Sequence, residues 1–158
     1  MAAPPPQPFV DLAAQTRRLH PVLDARMAAV LLAKLTVFED ELGARGRAAR
    51  RYDARLGDAV TRPARPEGVA SAWAQYTIQV PNRDRVLDRL ARADIPTMVY
   101  YPLPMHRQPA YAAPGDGPGS LPASEALAVR VLTLPMHPYL DEATIERIAA
   151  AVRAAIAA

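Results

Sequence analysis

The sequence predicts one small α/β domain: a small sheet, antiparallel or mixed, covered by helices. Three observations carry this. Apolar residues recur at helical spacing over long stretches at both ends of the chain, residues 24–56 and 141–156. Between them, Ala74, Tyr76, Ile78 and Val80 alternate with Gln75, Thr77 and Gln79, the period-two pattern of a half-buried strand. Two short β-branched or aromatic runs, Thr97 to Tyr101 and Leu132 to Leu134, supply further strands, each stopped by a proline.

Taken in order, Met1 to Pro8 is an Ala/Pro stretch without the charged and apolar regions of a signal peptide. Pro8 to Leu12 reads as extended, and residues 1–23 as an N-terminal extended arm. Asp24 is expected to cap a helix reaching Leu56, opening a domain over residues 24–158. Met27, Leu31, Leu35, Phe38, Leu42, Ala49, Tyr52 and Leu56 then share one helix face, with a bend at Gly43 and Gly46. Arg62-Pro63 and Arg65-Pro66-Glu67-Gly68 form a turn. Pro81 ends the first strand, and Asn82 caps a helix bearing Val86, Leu87 and Leu90 that stops at Ile95-Pro96. Residues Pro102 to Leu121 form a Pro/Gly-dense loop, and Pro122 opens a short helix through Ala128. Asp141 caps the last helix, whose Ile145, Ile148, Val152 and Ile156 repeat at helical spacing. The long first helix and the last are expected to pack across the sheet.

Composition narrows the function. The chain's 158 residues, 51% apolar and 22% charged, match an ordinary globular protein with a core of its own. No apolar run approaches the ~20 residues of a membrane span, so no membrane partner is expected and the cytoplasm is the default location. Cysteine is absent, which rules out disulfides and thiolate metal sites. The net charge is only +3. Arg45, Arg47, Arg50, Arg51 and Arg55 interleave with Glu39, Asp40, Glu41 and Asp53, the pattern of a solvated helix face, so nucleic acid is not an expected partner. His20, His106 and His137 lack metal-ligand spacing. There is no phosphate-cradling glycine loop after a strand and no G-x-S-x-G serine. The sequence therefore assigns no catalytic residue and no metal site.

Two segments stand out. Tyr100-Tyr101-Pro102-Leu103-Pro104-Met105-His106-Arg107-Gln108-Pro109 gathers aromatics, an imidazole and an amide in a proline-stiffened loop. Leu134-Pro135-Met136-His137-Pro138-Tyr139-Leu140 has a similar character. Either segment suits a binding loop, and either suits a tight connection whose tyrosines fill a core edge.

The residues also carry a family resemblance. Leu31-Leu32-Ala33-Lys34-Leu35, Phe38-Glu39-Asp40-Glu41, Arg45 and Tyr52 begin it. Ser71-Ala72-Trp73-Ala74-Gln75-Tyr76, Asn82-Arg83-Asp84, Ile95-Pro96-Thr97 and Tyr100-Tyr101-Pro102 continue it. His106, Gln108-Pro109, Tyr111, Leu121-Pro122, Ser124-Glu125 and Leu134 to Tyr139 complete it. In this order they resemble the C-terminal small domain of the DegT/DnrJ/EryC1/StrS aminotransferases, fold-type I enzymes that use pyridoxal phosphate to aminate nucleotide-linked keto-sugars. Pro8 to Leu12, Gln15 and Leu23-Asp24 resemble the opening of the same enzymes, which implies that the large cofactor domain between is missing and that the two pieces join near Arg26-Met27.

What the resemblance implies follows from that loss. The cofactor needs a lysine amine, a partner for its pyridine nitrogen and a phosphate cradle. Lys34, the only lysine in the chain, matches a small-domain lysine of the family and not the Schiff-base position. The chain alone is then expected to bind no pyridoxal phosphate and to be inactive as an aminotransferase. Tyr101 and His106 match residues near the family's substrate site, where they would position a nucleotide-sugar, held weakly by one wall. The implied protein partner is a second copy or a full-length aminotransferase relative. The alternative function is a non-catalytic module that pairs with such a relative.

Overall fold

A computed structural model of the chain describes residues 12–111 and 117–157. The chain divides into two compact units, Met1–Asp40 and Glu41–Ala158.

Helix α1 (Leu12–Leu35) occupies the first unit. The extended arm expected over residues 1–23 is therefore helical from Leu12 onward, and its first eleven residues lie outside those described. Leu, Ala, Gln and Arg dominate residues 12–20, and their helix propensity prevails although Pro21 stands inside the helix. The helix also does not run on to Leu56. The Thr36 hydroxyl donates back to the Ala33 carbonyl at 2.7 Å, and Val37 N–H turns to Lys34 O at 3.2 Å. These local bonds replace the helical ladder, and a second helix, α2 (Phe38–Leu56), starts one residue later. Gly43 and Gly46, expected at the bend, lie within α2. Of the expected apolar face, Ala49, Tyr52 and Leu56 are buried, while Met27, Leu31, Leu35 and Phe38 are exposed.

The second unit is built on strands β1 (Tyr76–Gln79) and β2 (Val131–Leu134), paired antiparallel with Tyr76 opposite Leu134 and Gln79 opposite Val131. Tyr76, Ile78 and Val80 are buried and Thr77 and Gln79 half-buried, the alternation expected. Ala74 falls outside it, since Trp73, at φ 47°, turns the chain and is buried in its place. Single-residue bridges flank the pair, Thr61 beside Gln79 and Met98 beside Thr133. The strand expected over Thr97 to Tyr101 is thus reduced to one bridge. Pro96 and Pro102 stand on either side, and a proline has no N–H for the ladder.

Helix α3 (Arg83–Arg92) packs on helix α5 (Glu142–Ala157) and on β2. Asn82 does precede α3, but with φ 46° and without a side-chain cap bond; its contribution is tolerance of the left-handed turn. Asp141 caps α5 as expected, accepting from Thr144 N–H at 2.7 Å. Helix α4 (Pro122–Ala128) opens on its proline. The core collects Tyr52 and Leu56 from α2, Ile78 and Leu132 from the strands, Val86 and Leu90 from α3, and Ile145, Ile148 and Val152 from α5. Arg55 of α2 reaches Glu146 of α5 at 2.7 Å on the half-exposed rim, a contact of little energetic weight. Among the described residues no helix is long and apolar enough to cross a membrane.

Candidate functional site

A cleft of about 450 Å³ lies between the segment 100–108 and the pair α4/β2. Its placement follows from local chemistry. The Met98 bridge pins the chain to β2 through two hydrogen bonds, Met98 N–H to Thr133 O at 3.2 Å and Thr133 N–H to Met98 O at 2.8 Å. Pro102 and Pro104 fix the next backbone angles. A single 3₁₀ turn, Met105–Arg107, closed by Arg107 N–H to Pro104 O at 2.9 Å, brings His106 round to face α4.

Glu125, in the first turn of α4, receives that turn. Its Oε1 lies 3.0 Å from His106 Nε2, and the Gly119 N–H donates to both carboxylate oxygens, at 2.9 and 3.1 Å. Arg107 stands 3.8 Å from Oε2. One carboxylate therefore ties together the His106 turn, the loop at Gly119 and α4. The His106 side chain is only 8% exposed, and Glu125 is its hydrogen-bond partner. The hydrogen bond with His106, then that from Gly119 N–H, holds the Glu125 carboxyl below its ordinary pKa. A carboxyl with a lowered folded-state pKa stabilises the fold above its unfolded-state value, about 4.3, and gives that up as pH falls through the lowered value. A carbon-13 titration of the Glu125 carboxyl is expected to show a midpoint below 4.3, and a midpoint above it would contradict this geometry.

The cleft's walls combine apolar and polar surface. Leu103, Met105, Leu121, Leu127 and Val131 give the apolar part, and Gln108, Ser124 and His106 the polar groups. Tyr100 and Tyr101 stand at its rim with ring centroids 5.7 Å apart, edge to face, and Tyr101 is 70% exposed. The two residues singled out from the sequence, Tyr101 and His106, thus line one cleft. The arrangement suits a flat or polyhydroxyl ligand: open aromatic faces for stacking, and hydroxyl, amide and imidazole groups for hydrogen bonds.

The second segment has a different task. The Tyr139 hydroxyl bonds Glu41 Oε1 at 2.6 Å, the Tyr139 N–H donates to His137 Nδ1 at 3.2 Å, and Tyr52 donates its hydroxyl to Pro135 O at 3.0 Å. The bonds to Glu41 and Tyr52 anchor residues 135–139 on α2, and the one to His137 closes the segment on itself. His20 pairs with Asp24 at 2.8 Å along α1. Among the described residues, no group of three or more His, Asp or Glu side chains could hold a metal ion. Glu125 received no role from the sequence, although its place in the first turn after Pro122, where a helix favours a carboxylate, was a usable signal.

Comparison with known proteins fits this geometry. The model of the DegT/DnrJ/EryC1/StrS aminotransferase family matches residues 21–153. The UDP-2-acetamido-2-deoxy-3-oxo-D-glucuronate aminotransferase of Pseudomonas aeruginosa is 40% identical over 146 residues, covering 87% of this chain and 40% of that protein. The dTDP-3-amino-3,4,6-trideoxy-alpha-D-glucose transaminase of Streptomyces venezuelae is 32% identical over 141 residues, covering 88% of this chain and 37% of that protein. Among solved structures, a DegT DnrJ EryC1 StrS aminotransferase from Brucella abortus superposes with a TM-score of 0.77 at 48% identity, over 83% of this chain and 35% of that one. S. venezuelae DesV, in complex with a ketimine intermediate, gives a TM-score of 0.77 at 32% identity over 80% of this chain and 35% of its own. The chain spans about two fifths of the length of the curated relatives it matches. Sequence pattern, fold and relatives agree, and the chain belongs to the DegT/DnrJ/EryC1/StrS aminotransferase family.

Proposed function

We propose that residues 24–158 act as the small domain of a sugar aminotransferase, presenting one wall of a nucleotide-sugar site and performing no amino transfer by themselves. The observation that carries this reading is the cleft in which Tyr101, His106, Gln108 and Ser124 converge between apolar walls. Relatives named for UDP-linked and dTDP-linked sugars support the ligand class.

Pyridoxal phosphate is the family's cofactor, and this chain's residues do not fit it. The cleft's lining, drawn from residues 100–131, offers no amine to bind the cofactor's aldehyde, and Lys34, the chain's only lysine, belongs to α1. Mixing the purified chain with pyridoxal phosphate is expected to give no visible aldimine band and no transaminase turnover. A band lost in Lys34→Ala, together with turnover, would overturn the inactive reading. In the same preparation, UDP-N-acetylglucosamine should shift the backbone resonances of Tyr101 and His106, with a Kd of about a millimolar or poorer, since one open wall cannot exclude water. An absence of shifts there at several-fold higher ligand concentration would leave the cleft as a packing defect.

A second reading, a non-catalytic module pairing with a full-length relative, is favoured by the exposed aliphatic surface of α1. Co-purification with such an aminotransferase separates it from the first.

A further inference from the structure

We infer that Glu125 is a positioning residue that fixes which face of the His106 imidazole's chemistry the cleft presents, and thereby selects ligands that bring a hydrogen-bond donor. An ionised carboxylate only accepts hydrogen bonds. The His106 nitrogen facing it, Nε2 at 3.0 Å, must therefore carry the proton. In the neutral ring the other nitrogen, Nδ1, is then an acceptor, and no hydrogen bond to it is made among the described residues. Glu125 is held in its accepting form by its other neighbours: the Gly119 N–H donates to both oxygens, and the Arg107 guanidinium lies 3.8 Å from Oε2. The ring has little freedom to turn, since its side chain is 8% exposed. Nδ1 as acceptor matches a sugar hydroxyl or the imide N–H of a pyrimidine base. It mismatches a ligand that offers only acceptors.

The choice of ligand rests on the nucleotide-sugar reading above; the state of the ring does not. The test uses the full chain, labelled with nitrogen-15, at mildly alkaline pH. The imidazole nitrogen shifts are expected to report His106 as the Nε2–H tautomer. Glu125→Gln keeps an acceptor for Gly119 N–H but adds an amide donor, so the ring should become a mixture of tautomers. UDP-N-acetylglucosamine should then bind about fivefold more weakly, the net worth of one ordinary hydrogen bond. A change that merely loosened the fold would not move the tautomer while leaving the backbone spectrum intact. Nδ1–H as the main form in the unsubstituted chain overturns the assignment, and this reading survives a variant that fails to fold. An unchanged tautomer and affinity in Glu125→Gln overturns it as well. An Nε2–H ring that binds no nucleotide-sugar overturns the function proposed above and leaves the positioning role of Glu125 standing.

Discussion

Urea unfolding of Tyr76→Ala is expected to show a loss of about 3–5 kcal/mol, the cost of truncating a fully buried aromatic. Tyr76 is completely buried, 4.9 Å ring to ring from Tyr52 and 5.8 Å from Trp73. Its hydroxyl, kept protonated by burial and by its bond to Asp53, donates to Asp53 Oδ1 at 2.5 Å. Asp53 also pairs with Arg65, whose guanidinium lies 4.5 Å over the Trp73 ring. Truncation therefore opens the middle of the stack and removes the hydrogen bond that ties β1 to Asp53 of α2. Domains of this size are stable by only about 5–15 kcal/mol, so the variant should sit near the edge of folding. Tyr76→Phe keeps the ring and loses only the bond to a charged acceptor, about 1.5–3 kcal/mol. The check is a fall in the urea midpoint at constant m-value. A loss below 2 kcal/mol for the alanine variant would show the stack to be peripheral to the core.

The second large effect concerns association. Leu19, Val22, Leu23, Met27, Val30, Leu31, Leu32 and Leu35 on α1 are each more than half exposed. So much aliphatic surface on one helix favours burial against another molecule, at about 25 cal/mol per Å². The 158-residue chain is expected to form dimers or larger species at micromolar concentration. Leu23→Glu combined with Leu31→Glu should weaken that association at least a hundredfold, since about 1.5–3 kcal/mol is forfeited for each leucine that no longer buries. Sedimentation velocity across a concentration series measures both. A monomer at tens of micromolar before any substitution would refute the expectation.

How far the sequence could be read depended on the range of the interactions involved. Helix α5 was legible because Asp141, Ile145, Ile148 and Val152 act through neighbours three or four positions away. The alternation through Tyr76, Ile78 and Val80 located β1 for the same reason. The split at Thr36 and Val37 was not legible: apolar residues keep helical spacing across it, and periodicity does not register a back-bonded hydroxyl. Met98 was overread as a strand because propensity outweighed the prolines beside it. In the cleft, Tyr101 and His106 were found through a motif. Glu125 was missed because its partners, Gly119 and His106, lie 6 and 19 residues away and meet only after folding.

The single-residue bridges at the sheet's margins bear on how this chain can aggregate. Thr61 spends both its backbone N–H and its carbonyl on Gln79, at 3.2 and 2.9 Å, and Met98 does the same with Thr133. The residues beyond are interrupted by Pro63 on one side and by Pro96 and Pro102 on the other. A foreign strand approaching either margin finds no continuous row of amide donors to pair with, which is how natural sheets resist fibril growth. Clumping of the folded chain should therefore proceed helix against helix and dissolve in mild detergent, without the ordered cross-strand stacking that binds thioflavin dyes.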